Sequence, residues 1–183
     1  MKFGYFSALL FCTVLLLSGC GARETQETVE SLPPKPAAFT RESKIEDVKH
    51  DPVFGSYGRL LFPVEDAYYS GDTLEDLGLT YYSHIDPDET VEIVNTLRAR
   101  AKAGQTIFYD IYTAEEKAAD PAKEDTGLFF FKGTPGEKFA ICNAGGAFAY
   151  VGAMQDSFPH ALELSKKGYN AFALIYRPGA QTA

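Results

Sequence analysis

An apolar run, Phe139-Ala140-Ile141, leads into Ala144-Gly145-Gly146-Ala147-Phe148, and the chain turns aromatic again at Tyr150. Side chains this small supply no acid, base or nucleophile. What they offer is backbone: N–H donors that a ligand can approach closely because no bulky Cβ substituent stands in the way. Two readings of the stretch stay open. Either its amides must come near something negatively charged, or it is a tight strand-to-helix connection.

Other side chains with chemical potential are few. Ser157 and Ser165 fall beside or on a helical stretch, where an N-terminal cap and a solvent-facing position account for them. His160 lies in the first turn of that stretch, and no nucleophile can be named within reach of it, as a general base would require. His50 and His84 precede the strands. Cys142 sits in the apolar run itself and reads as a small buried hydrophobe rather than a thiolate. His84, Asp86, Asp88 and Glu89 crowd together, yet helix capping explains the acids, and no metal is assigned to them.

The elements around the glycine stretch alternate. Residues 86–104 carry a capping aspartate (Asp86 or Asp88), Pro87 at an early helical position, Val91, Val94, Leu97 and Ala101 at spacings of three and four, and Gly104 as the stop. Residues 105–112, QTIFYDIY, read as a strand by their β-branched and aromatic content. A short helix with a threonine cap follows over 113–120 and is closed by Pro121. GLFFFKG and KFAICN are two further strands, separated by the turn TPGEK. Residues 156–168 form the best-defined helix, with a polar cap, an early proline, Ala161, Leu162 and Leu164, two terminal lysines and Gly168. YNAFALIYR, residues 169–177, is nearly all apolar and predicts a strand buried on both faces. Strand, loop, helix and strand make a βαβ unit, whose strands are expected to be parallel. Residues 51–79 hold aromatics, glycines and prolines without a sustained period, a loop-rich lead-in with short helical turns.

The N-terminus has another purpose. Met1-Lys2 precedes an apolar stretch over residues 3–17, too short for the roughly 20 residues that span a bilayer. It ends in Leu17-Ser18-Gly19-Cys20, which looks like a bacterial lipoprotein signal in which Cys20 is acylated. With Cys12 lost in the signal and Cys20 lipidated, Cys142 stands alone and no disulfide framework is expected. Residues 20–50 are rich in Glu, Thr, Lys and Pro and read as a tether. The expected organisation is a signal peptide (1–19), a tether (20–50), an aromatic-rich lead-in with one helix (51–104) and an α/β portion (105–183). A net charge of −8 without a basic patch argues against nucleic acid.

With these pieces placed, residues 110–183, and above all AGGAF followed by GYNAFALIYR, resemble the lipase and esterase branch of the α/β-hydrolase superfamily. Ala144 stands where that family usually has histidine, and Ala147 where it has its last glycine. Residues 51–110 also look like the lead-in of its lipoprotein-type members. The resemblance implies an incomplete hydrolase-type sheet. It also implies that Gly146 and Ala147 donate N–H groups to an oxyanion while Gly145 shapes the loop. No metal or organic cofactor is implied. The family's Gly-x-Ser-x-Gly nucleophile is missing, as are its acid and histidine; FGSYG, residues 54–58, has the wrong spacing.

The expectation is therefore the N-terminal portion of a lipid-anchored serine hydrolase, extracytoplasmic, acting on an ester or acylated small molecule or carbohydrate, and inactive as these 183 residues. Because α/β alternation normally continues past such a strand, the chain reads as a piece of a longer protein. A truncated gene product and a self-contained module with a partner-covered edge are the competing explanations. The alternative function is a non-catalytic surface lipoprotein binding carbohydrate or peptide. Its eleven tyrosines and fourteen phenylalanines supply stacking surface as well as core.

Overall fold

The computed structural model describes residues 38–82 and 84–179. The signal segment, Cys12, Cys20 and the tether as far as residue 37 lie outside the described residues. Folded structure begins before residue 51, where the composition placed the end of the tether. Helix α1 (Ile45–Lys49) buries Ile45 and Val48, and Phe39 ahead of it is buried too. Few apolar residues punctuate this stretch, but each of these three finds the core.

A 3-10 segment, Pro52–Leu61, follows and buries Phe54, Leu60 and Leu61, with Asp51 accepting from the Val53 amide at its start. Strands β1 (Tyr69–Ser70) and β2 (Gly78–Leu79) pair antiparallel as a short separate ribbon. Helix α2 (Pro87–Lys102) is capped by Asp86, whose carboxylate accepts from the amides of Asp88 (2.9 Å) and Glu89 (3.4 Å). Gly104 follows with φ +73°, the left-handed conformation that ends helices. The buried face centres on Ile93, Val94 and Leu97, while Val91 and Ala101 pack at its margin. Arg98 is buried on this face as well. Its Nε donates to Asp51 at 2.8 Å, and its guanidinium lies over Phe39.

The main sheet has four strands in the order β3-β4-β6-β5: β3 (Phe108–Tyr109), β4 (Gly127–Phe131), β5 (Phe139–Asn143) and β6 (Asn170–Ile175). It is mixed. β3–β4 and β4–β6 are antiparallel, and β5–β6 is parallel, as the βαβ reading required. The strand expected over 105–112 contracts to two paired residues. Helix α3 (Ala114–Ala119) begins just beyond, locked by a reciprocal capping box between Thr113 and Glu116. β6 is interior, and the two-residue β3 and the longer β5 form the edges.

The described residues bury one face of the sheet across β4 and β6 and leave the other half-buried to exposed. Phe129 and Phe131 lie opposite Ala173 and Ala171, and the small partners leave room for α4 (Ser157–Lys166) to drop Phe158 between them. The other face carries Phe130 stacked on Phe172 (4.7 Å between centroids), beside Ile141, Leu174 and Tyr109. Phe139 and Ile141 are exposed there. β6 is thus buried on one face rather than two. Its continuous apolar sequence reflects two different environments on alternate residues.

Candidate functional site: the amide loop after β5

β5 delivers the chain to Ala144, and the next residues fold back on themselves. The Gly145 carbonyl accepts from the Gly152 amide (3.0 Å), and the Gly146 carbonyl from Ala149 (2.9 Å) and Tyr150 (3.3 Å). Gly146 has φ +134°, and a Cβ built there would lie 2.1 Å from the Tyr150 carbonyl oxygen, so no other residue fits without moving the loop. Ala147 (φ +55°) and Phe148 (φ +58°) follow, two consecutive non-glycine residues in left-handed backbone. Such residues cost about 1–3 kcal/mol each and cluster where backbone is held for a purpose.

The amides divide sharply. That of Gly145 donates to Asp156 Oδ2 at 2.8 Å. Those of Gly146, Ala147 and Phe148 have no hydrogen-bond partner among the described residues. These residues, with Asn143, Leu174 and Tyr176, line an open cavity of about 380 Å³. Successive free amides in a tight turn can form an anion-binding concavity.

Three tyrosines brace the loop. The Tyr176 hydroxyl, just past β6, donates to the carbonyl of Ala144 (3.1 Å) and less closely to that of Gly145 (3.4 Å). Tyr82 donates to Asp156 Oδ2 (3.3 Å). Tyr150 is buried, stacked against Tyr68 and Tyr81, and its hydroxyl accepts from the Tyr81 amide (3.2 Å). Burial, with the Asp156 charge as the next cause, raises the Tyr176 phenol and pushes the Tyr82 phenol up to about 12. Both therefore stay neutral donors at physiological pH.

The other candidates do not converge on the loop. Cys142 is half-buried, and burial followed by the Asp156 charge raises its thiol, which disfavours the thiolate. Ser165 is buried rather than solvent-facing and donates to the Leu162 carbonyl. Ser157 is buried and its hydroxyl has no partner among the described residues, so it caps none of their amides. Asp156 occupies the cap position of α4 without capping it, because its carboxylate is turned to Gly145 and Tyr82. His160 is exposed, with Nδ1 2.6 Å from the Asp156 carbonyl. Near His84, Asp86 caps α2 and Asp88 pairs with Arg41. Among the described residues no three His, Cys, Asp or Glu side chains are grouped to hold a metal.

Sequence reasoning missed Asp156, Tyr82 and Tyr176 as parts of this site. Tyr176 had a signal, since it immediately follows the strand that comes after the loop. A polar residue at the head of a helix satisfies the capping rule, and nothing local distinguishes a carboxylate turned outward. Comparison of the chain with protein-family models, curated proteins and solved structures found no match.

Proposed function

We propose that the chain supplies the oxyanion-hole portion of an α/β-hydrolase-like carboxylic ester hydrolase, with Gly146 and Ala147 as N–H donors and Gly145 setting the loop. The observation that carries this reading is the set of unpartnered amides at Gly146 and Ala147, beside an open cavity. Their place in the chain supports it. The loop follows the third strand of the main sheet in sequence order and precedes a helix, which is where α/β-hydrolases carry one of their oxyanion donors. As an ester carbonyl becomes tetrahedral, its oxygen gains negative charge. Amides fixed in advance at 2.7–3.1 Å from that oxygen lower the barrier, each by about 3 kcal/mol.

The sequence contains no Gly-x-Ser-x-Gly, so the proposal assigns these residues the oxyanion donors and no nucleophile, acid or histidine. The reading assigns no step to a metal or cofactor. Lipid on Cys20 would hold the domain outside the cell membrane, facing an ester or acylated small molecule or carbohydrate. Cys20→Ser should then release the protein from the membrane fraction.

The direct test is titration of the 183-residue protein with phenylphosphonate, a tetrahedral anion, followed by amide NMR. The Gly146 and Ala147 resonances should move together and saturably. If neither moves while distant surface amides do, the oxyanion reading is wrong. Reading the coding frame past Ala183 is the complementary test, because a continuous frame lacking a serine elbow defeats the hydrolase. Exposed Phe148 and Tyr81 favour the second reading, a non-catalytic lipoprotein stacking carbohydrate or peptide. Thermal stabilisation by an oligosaccharide without any phosphonate response would select it.

A further inference from the structure

The lead-in over residues 51–104 supplies none of the oxyanion donors, yet it reaches the loop at both ends. Tyr82 lies against the first and last glycines of the turn. A Cβ on Gly145 would meet its hydroxyl at 3.0 Å, and one on Gly152 would meet its ring at 2.7 Å. Its hydroxyl donates to Asp156 Oδ2, the same oxygen that accepts from the Gly145 amide. One residue earlier, the Tyr81 amide donates to the Tyr150 hydroxyl and its ring stacks on Tyr150. Asp156 meanwhile gives up the capping contact its position offers.

We propose that Asp156, oriented by Tyr82 of the lead-in, is the positioning residue of the amide loop: it takes up the Gly145 amide and so fixes the turn in which the Gly146, Ala147 and Phe148 amides are left for a ligand. The proposal rests on the oxyanion reading for the purpose of the loop, but not for its geometry. A carboxylate suits the task because one oxygen accepts from two donors at once. A charge-assisted bond to a backbone amide is also stronger than a neutral one. The cost falls on α4, whose first amides go without a side-chain cap. Asp156 touches no reacting atom and acts only through the backbone it holds.

Three variants of the full 183-residue protein test this: Asp156→Ala, Asp156→Asn and Tyr82→Phe. Asparagine keeps an oxygen that accepts from Gly145 and Tyr82, whereas alanine keeps none. The first readout is amide hydrogen exchange. In D156A the Gly145 amide should exchange at least about tenfold faster while amides in the middle of α4 are unchanged, and D156N should restore protection. Tyr82→Phe should give a smaller acceleration at Gly145. The second readout is the phenylphosphonate titration, in which D156A should weaken the Gly146 and Ala147 response about tenfold and D156N should retain it.

Unchanged Gly145 exchange in D156A overturns the positioning role, as does a D156N variant as impaired as D156A. If D156A does not fold, D156N and Tyr82→Phe decide. Retained protection in the first with partial loss in the second supports the role, and any other pattern removes it. If phenylphosphonate moves no amide in the unsubstituted protein, the oxyanion reading falls, and Gly145 exchange still reports on Asp156 independently.

Discussion

Asp86 and Asp156 stand at the same place relative to their helices, immediately before the first turn, yet they serve different amides. Asp86 turns inward and satisfies two amides of α2. Asp156 turns outward, to an amide eleven residues back in the chain and to a tyrosine from the lead-in. The helices behind them differ in the same sense. α2 directs Arg98 and the half-buried Asn95 to folding: Arg98 pairs with Asp51, and Asn95 holds the backbone of Phe39 on both sides, donating to its carbonyl and accepting from its amide at 2.8 Å each, although Arg100 Nη1 on the same helix is buried without a partner among the described residues. α4 begins with a buried serine hydroxyl that has no partner among the described residues. A region that breaks local rules beside strained backbone is where function is expected, because stability alone would have selected the cap.

The contrast can be broken most forcefully on the α2 side. Arg98→Ala leaves the Asp51 carboxylate buried without its guanidinium and should cost about 3–5 kcal/mol in urea unfolding. A loss under about 1 kcal/mol would mean that the pair is solvated in solution. Next in size, Asp86→Ala should destabilise by about 1 kcal/mol through the lost cap, read from the urea midpoint.

On the α4 side the expected sign reverses. Ser157→Ala removes a buried hydroxyl that bonds to nothing and should be neutral or stabilising by up to about 1 kcal/mol. Destabilisation of that size would instead reveal a partner for the hydroxyl and weaken the contrast.

The smallest effect is spectroscopic. The Tyr82 phenol, raised to about 12 by burial and then by Asp156, with Tyr150 and Tyr176 adding, should be among the last tyrosines to ionise in an alkaline absorbance titration. Its folded value lies above the unfolded value near 10, so the contribution of the neutral phenol is complete below about pH 10 and is lost as pH rises through about 12. Tyr82→Phe should delete that late transition. Its persistence in the variant would assign it to another tyrosine.

How much of this was legible in the sequence follows from how local each cause is. α2 was readable because Asp86, Pro87 and Gly104 act within one turn of the helix ends, although Ile93, central to the buried face, was left out of the expected stripe. The Thr113 cap and the parallel β5–β6 pair were readable for the same reason: cap, helix, glycine and strand succeed one another in order. Phe39, Ile45 and Val48 were not, since three apolar residues in a polar stretch show no period, and only the surface they meet makes them core. Nor was β6 legible as a strand with one open face, because a continuous apolar run looks alike whether one or both sides are covered.

By itself the sequence determined the order of the elements around the glycine stretch, the loop's lack of reactive side chains, and the absence of a serine elbow from these residues. Those properties are set by neighbours in the chain or by composition. Only the tertiary structure decided that Asp156 holds Gly145 rather than its own helix, that Tyr82 and Tyr176 brace the turn, and that three successive amides are left without partners among the described residues. Hydrogen bonds between residues eleven to seventy-four positions apart depend on how the sheet, the helix and the lead-in pack together, and no local pattern encodes that packing.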